Sequence, residues 1–141
     1  MKRKMYLSLT ALVLALAVNV AFAQSSSMTK ANVPFAFSID QNAMEAGQYS
    51  ITVTDHVLRI RNDSTNKSMT LMAQTEESAK PQSTRLVFHK YGDSYFLAEV
   101  WHSTGQAGAS GIELPASKAE QETRAAYKDA GGATEVIVAM R

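Results

Sequence analysis

The stretch RLVFHKYGDSYFLAEVWH, residues 85–102, decides the fold. It contains two of the three histidines and the single tryptophan of the chain, together with an aspartate and a glutamate. Apolar residues alternate on either side of Gly92-Asp93, a pair suited to a two-residue II′ turn because glycine at the first central position accepts positive φ. The stretch therefore reads as a β-hairpin. Pairing Tyr91 with Ser94 sets His89 opposite Phe96, Val87 opposite Ala98 and Leu86 opposite Glu99. In that regular register Phe88, Tyr95, Leu97 and Trp101 share a core face, and His89 and His102 share a face as well. At about 3.3 Å per residue the two histidines stand roughly 20 Å apart along the sheet. Metal ligands must converge on one ion at about 2 Å each, so the hairpin alone offers no two-histidine site. Glu99 projects away from His89 and Asp93 sits in the turn, which leaves neither placed to orient an imidazole against a serine.

Working outward, the rest of the chain also reads as short strands. Val33, Phe35, Phe37 and Ile39 alternate, with Pro34 marking an edge or a strand start. Tyr49, Ile51 and Val53 form the next strand, and Leu58 and Ile60 face the core between the exposed Arg59 and Arg61. After the polar loop 62–67 come Met69, Leu71 and Ala73. Connections are expected at 75–83 and 103–116. Ser117 and Glu120 form an S-x-x-E capping box that opens a helix over about 117–130, with a thin apolar stripe of Ala119, Thr123, Ala126, Tyr127 and Ala130. Val136 to Met140 is a nearly continuous apolar run, predicted as a strand covered on both faces. The expected fold is mainly β: a small antiparallel β-sandwich or partly closed β-barrel of about seven strands, with one C-terminal helix before the last strand.

Residues 1–23 carry a basic start (Lys2, Arg3, Lys4), an apolar run from Leu7 to Val20, and Ala21-Phe22-Ala23, the small-x-small pattern of a cleavage site. They are expected to be a secretory signal peptide, followed by a flexible polar lead-in at 24–32 and a single domain at 33–141. An exported, periplasmic or extracellular location follows, without a stable membrane anchor after cleavage. Beyond the leader, 11 basic residues face 13 acidic ones, a net charge of −2. That balance gives no footprint for nucleic acid. The chain has no cysteine, so disulfides and lipidation after the leader are excluded and stability rests on the core. A domain of this length buries roughly two thirds of the surface its unfolded chain exposes.

Four stretches, NVPFAFSID, MEAGQYSIT, LVFHKYGDSYFLAEVW and GIELPASKAEQE, together resemble a family of small exported β-rich hypothetical proteins of soil bacteria. The resemblance spans most of the chain beyond the leader and implies export and a β-rich fold. It carries over no site residue. Glu45 stands where such proteins often have proline before Ala-Gly-x-Tyr, so a proline-rigidified turn is not implied here.

The sequence contains no G-x-S-x-G, H-E-x-x-H or P-loop pattern, and the reading is a non-enzymatic one with no cofactor and no metal. Glu99 is the position that breaks its pattern, a carboxylate between Leu97 and Trp101. It is expected either at the sheet rim or paired with Arg59 or Arg85, since an unpartnered buried carboxylate costs several kcal/mol. Glu99, Trp101, Tyr95 and Arg59 are the candidate ligand or partner contacts. Asn62 and Asn66 match glycosylation acceptors by letter but read as turn residues. Two functions remain: an interaction module that binds a protein, a surface polymer or its own copies through sheet edges, and a small barrel that carries a lipophilic or aromatic ligand. A continuous apolar cavity of roughly a few hundred Å³ favours the carrier, and a filled core favours the interaction module.

Overall fold

The computed structural model describes residues 28–78, 83–103 and 108–141. The expected leader at 1–23, the polar residues 24–27 and Pro81 lie outside the described residues. The chain forms two antiparallel-based sheets packed face to face, a β-sandwich. It is not a closed barrel.

The first sheet has the order β1-β4-β5-β6, with β1 at Met28–Val33, β4 at Gly47–Thr54, β5 at Val57–Asn62 and β6 at Ser68–Met72. The second runs β11-β8-β9-β10-β7, with β7 at Gln74–Ser78, β8 at Arg85–Tyr91, β9 at Ser94–Ser103, β10 at Ala109–Glu113 and β11 at Thr134–Ala139. A short hairpin of β2 (Phe37–Ile39) and β3 (Asn42–Met44) docks on β9 through a parallel bridge from Ser38 to Phe96. The sheets meet at two corners. At one, the chain passes from β6 to β7 through the single residue Ala73. At the other, Lys30 and Arg141 exchange backbone hydrogen bonds of 2.8 and 2.9 Å, and Ala31 bridges to Met140.

The core between the sheets is filled. Tyr49, Ile51, Leu58, Ile60, Leu86, Phe88 and Val100 are fully buried, and Phe37 sets its ring edge-on to both Tyr49 and Phe88. The expected alternation from Val33 to Ile39 persists in burial, with Val33, Phe37 and Ile39 buried. Hydrogen bonding divides that run, because Pro34 has no N–H to continue the ladder.

Several boundaries differ from the sequence expectation. The lead-in at 24–32 is a strand from Met28 onward, paired with β4 from Met28↔Thr52 to Val33↔Gly47. Its M-T-K-A-N letters hide an inward Ala31, 2% exposed, that packs in the core. The connections at 75–83 and 103–116 contain β7 and β10, two strands whose polar or glycine-bearing letters read as loop. β11 is an edge strand with Ile137 58% exposed, so its two faces are not both covered.

The central hairpin follows the expected register from Tyr91↔Ser94 to Phe88↔Leu97, and Gly92 has φ of 58°. Beyond that point Ala98 is bulged out, and the pairing resumes as Val87↔Glu99, Leu86↔Val100 and Arg85↔Trp101. One extra residue exchanges the faces of everything that follows. Val100 therefore enters the core where Trp101 was expected, and Trp101 joins Val87 and Ala109 in a separate cluster on the outer face. His89 and His102 fall on opposite faces, and Glu99 shares the outer face with His89. Each of these corrects the regular-register expectation, and the single cause is the bulge.

Candidate functional site

The helix α1, Lys118–Ala126, starts at an N-cap Ser117 whose Oγ accepts a hydrogen bond from the Glu120 N–H at 3.1 Å. Glu120 does not complete the reciprocal box. Its side chain is buried, 3% exposed, and reaches β8 instead. Oε1 lies 2.7 Å from His89 Nδ1 and 3.5 Å from the Arg124 guanidinium, and it accepts from Tyr91 Oη at 3.3 Å. Arg124 Nε donates to the Tyr91 oxygen at 3.1 Å, which closes the network. The helix thus docks on the outer face of the hairpin through Glu120, Arg124 and, from the expected stripe, Tyr127 alone, while Ala119, Ala126 and Ala130 stay exposed. Tyr127 covers the turn so closely that a Cβ on Gly92 would stand 2.5 Å from its hydroxyl.

The four sequence candidates do not converge. Glu99 and Trp101 do meet: the indole Nε1 donates to Glu99 Oε2 at 2.5 Å, and the ring lies flat over Gly111. Glu99 is half-buried and its hydrogen bond comes from the indole, while Arg59 stands exposed on the outer face of the other sheet. Arg85 is the register partner of Trp101 and shares its face. Tyr95 faces the core side, stacked on Phe35 at 3.9 Å between centroids, with the Lys90 ammonium 5.4 Å above its ring. Asn62, one of the two acceptor-like asparagines, is buried and caps its own turn, its Oδ1 accepting from the Ser64 and Thr65 N–H groups.

β9, β10 and β7 also bring acids together. Glu99 pairs in register with Glu113, and Glu76 sits one row away opposite Gly111, beside Trp101. A hydrogen bond with Glu113, and the charges of Glu113 and then Glu99, hold the Glu76 carboxyl above its ordinary range. Among the described residues no group of three or more histidines, cysteines or carboxylates is arranged to hold a metal ion.

Clefts lie along the corner where β6 becomes β7. A cleft of about 560 Å³ is lined by His56, Met72, Ala73, Gln74, Glu113 and Pro115. A second, of about 220 Å³, continues it past Met72 and Pro115 to Leu71, Leu97, Leu114, Ser117 and Glu120. Together they form a groove beside the free edge of β6. The phase of the β5–β6 ladder is fixed by Asn62 N to Lys67 O and Ala73 N to His56 O, both 2.9 Å. Because hydrogen-bonded and non-hydrogen-bonded pairs alternate, Met69 and Leu71 turn their backbone groups to β5. The N–H and C=O groups of Ser68, Thr70 and Met72 point away from β5, and of these three residues Met72 lines the clefts. Met72 itself is 81% exposed.

A third cleft, about 600 Å³, opens at the end of the sandwich and gathers His56, His102, Asp55, Glu77, Thr75 and Ser110. His102, Ser110 and Glu77 are register neighbours on three adjacent strands. His56 reaches them from the β4–β5 turn, held by Thr75 Oγ1 at 2.8 Å from Nδ1. Burial pushes the His102 imidazole below its ordinary value, and its Nε2 is buried without a hydrogen-bond partner among the described residues.

Sequence reasoning missed both the Glu120 network and the β6 groove. For the first the S-x-x-E letters point to a cap, and only the three-dimensional placement of His89 reveals the other use. For the second a signal was present: Met69, Leu71 and Ala73 alternate with polar residues and then Met72 interrupts the pattern with an exposed apolar side chain. Comparison with known proteins returns no matching protein-family model, no matching curated protein and no matching solved structure.

Proposed function

We propose that this protein is an exported, non-enzymatic interaction module that takes an extended segment of a partner as an added strand on the free edge of β6. The observation that carries the reading is the edge of β6: three alternate residues, Ser68, Thr70 and Met72, whose backbone groups have no strand partner among the described residues, with a groove bordered by Leu97, Leu114 and Pro115 at the Met72 end. An incoming strand would satisfy those groups by main-chain bonds and seat alternate side chains in the clefts, as in β-augmentation. The other candidate edges suit this less. β11 is clamped at its end to β1, and β7 carries the charged run Glu76-Glu77, which blunts an edge. The carrier reading calls for a continuous apolar cavity within a small barrel, and it is less favoured by an open sandwich with a buried cluster between its sheets and clefts that are lined in part by His56, Gln74, Glu113 and Asp40. Export rests on the leader-like residues 1–23 and on the resemblance of the chain to small exported β-rich proteins.

Phage selection of random peptides on the purified protein tests this, with Thr70→Pro as the counter-target. Proline removes an N–H that only a partner would use, so the fold tolerates it at this edge. Enriched peptides should bind the wild type, slow amide exchange at Ser68, Thr70 and Met72, and fail on the variant. Equal binding to both proteins, or no enrichment, would overturn the reading.

A further inference from the structure

The β6 groove has an electrically polarised surround. Lys67 stands at the start of the strand, its Nζ tied to the Ala43 carbonyl at 2.6 Å, and Arg61 pairs in register with Ser68. At the other end, beside Met72 and Gln74, the groove is walled by Glu113, and Glu76 and Glu99 stand directly behind it. None of these three carboxylates has a cationic partner among the ion pairs formed within the described residues. Glu113 and Glu76 occupy neighbouring rows of the β10–β7 ladder on the same face, and Glu99 is the register partner of Glu113, so three like charges crowd one patch. Glu99 differs in taking the Trp101 N–H.

We infer that the strand partner is a cationic one, an extended peptide that places a lysine or arginine beside Glu113 and Glu76 at the Met72 end of β6. This rests on the edge-pairing reading above and adds to it the partner's charge and its orientation. A guanidinium or ammonium there would separate the two acids and replace their mutual repulsion by two attractions. At the opposite end the same cation would meet Lys67 and Arg61, of which Arg61 is already ion-paired with Asp63 at 3.8 Å, so Lys67 carries most of the repulsion. The groove therefore selects for a basic residue at one end of the bound segment only.

The test uses fluorescein-labelled peptides built on Thr-Val-Ser-Ile-Thr-Val, carrying two lysines, two glutamines or two glutamates at either end, with anisotropy titrations at low and high ionic strength. One lysine-tailed peptide should bind about tenfold more tightly than its glutamate counterpart, and the advantage should collapse at high salt. Moving the lysines to the other end should lose most of the gain, and Glu113→Gln with Glu76→Gln should erase it. Equal binding of all tails would overturn the cationic inference while leaving edge pairing intact. Undiminished binding of the lysine peptide to Thr70→Pro would instead overturn edge pairing, and no binding by any peptide would overturn both.

Discussion

Glu120 has the letter that a helix N-terminus favours, but its carboxylate is turned to the sheet, where His89, Tyr91 and Arg124 surround it. Removing the Glu120 carboxylate takes away the shared acceptor of His89, the buried Tyr91 hydroxyl and Arg124 and leaves a gap beneath the helix. Glu120→Ala should therefore lower stability by about 2–3 kcal/mol, and Ser117→Ala, which removes only the cap, by about 1 kcal/mol. Urea denaturation of the two variants checks the order. Gly111 makes a different demand, since a Cβ there would stand 2.6 Å from the Trp101 ring. Gly111→Ala should displace the indole, cost about 1–3 kcal/mol and shift the tryptophan emission. His102 supplies a pH signature. Its folded pKa is below the ordinary 6.5, so as pH falls through that value the unfolded chain takes up the proton first. The contribution is complete above 6.5 and is lost as pH drops towards the folded value. His102→Gln should flatten the decline in urea midpoint between neutral and mildly acidic pH, and an unchanged slope would assign the decline to other groups.

The hairpin of β8 and β9 shows what the sequence makes legible and where legibility stops. Gly92-Asp93 announces the turn, and the alternation of Phe88, Tyr95 and Leu97 announces the inner face. The bulge at Ala98 has no letter of its own, because a buried alanine looks the same in a regular strand. Every face assignment beyond it was consequently reversed, including those of Glu99, Trp101 and His102. The reversal itself yields a prediction. Deleting Ala98 makes the strand regular while Val100 still points inward and Trp101 outward, so the variant should fold. It should lose mainly the bond from Leu114 N to the Ala98 carbonyl, worth about 1 kcal/mol, which a melting curve would register. A deletion that abolished folding would show that the bulge also shapes the twist on which β10 depends. β10 and β7 went unread for a related reason: Gly111 and the polar run Gln74–Ser78 look like loop until Trp101 and β10 are seen lying against them.

At the scale of the whole molecule, the sandwich class was readable from strand count and spacing, whereas the way the sheets join was not. No letter marks Ala73 as the crossing between sheets, and the other corner depends on contacts between distant residues, the Ala31–Met140 bridge spanning almost the entire described chain. Ala31 and Met140 occupy a narrow, non-hydrogen-bonded position next to the Lys30–Arg141 pair, and both side chains are buried. Introducing Ala31→Cys with Met140→Cys should form a disulfide on oxidation and stabilise the fold by about 2–4 kcal/mol, read as the difference between oxidised and reduced melting. The candidate groove also belongs to this scale. It exists because the chain crosses from one sheet to the other at Ala73, which leaves β6 with its outer side uncovered.

The corner of β1 and β11 has a further consequence for how the chain can be threaded. Lys30 and Arg141 are hydrogen-bonded to one another, so Met28 lies within about two strand residues, roughly 7 Å, of the last residue. The order in which the strands are written is therefore not dictated by their arrangement in space. A gene rearranged to join Arg141 to Met28 through a few glycines and to begin at Asp93 would encode the same sandwich, with the β6 groove untouched and its new ends at the tip beneath Tyr127.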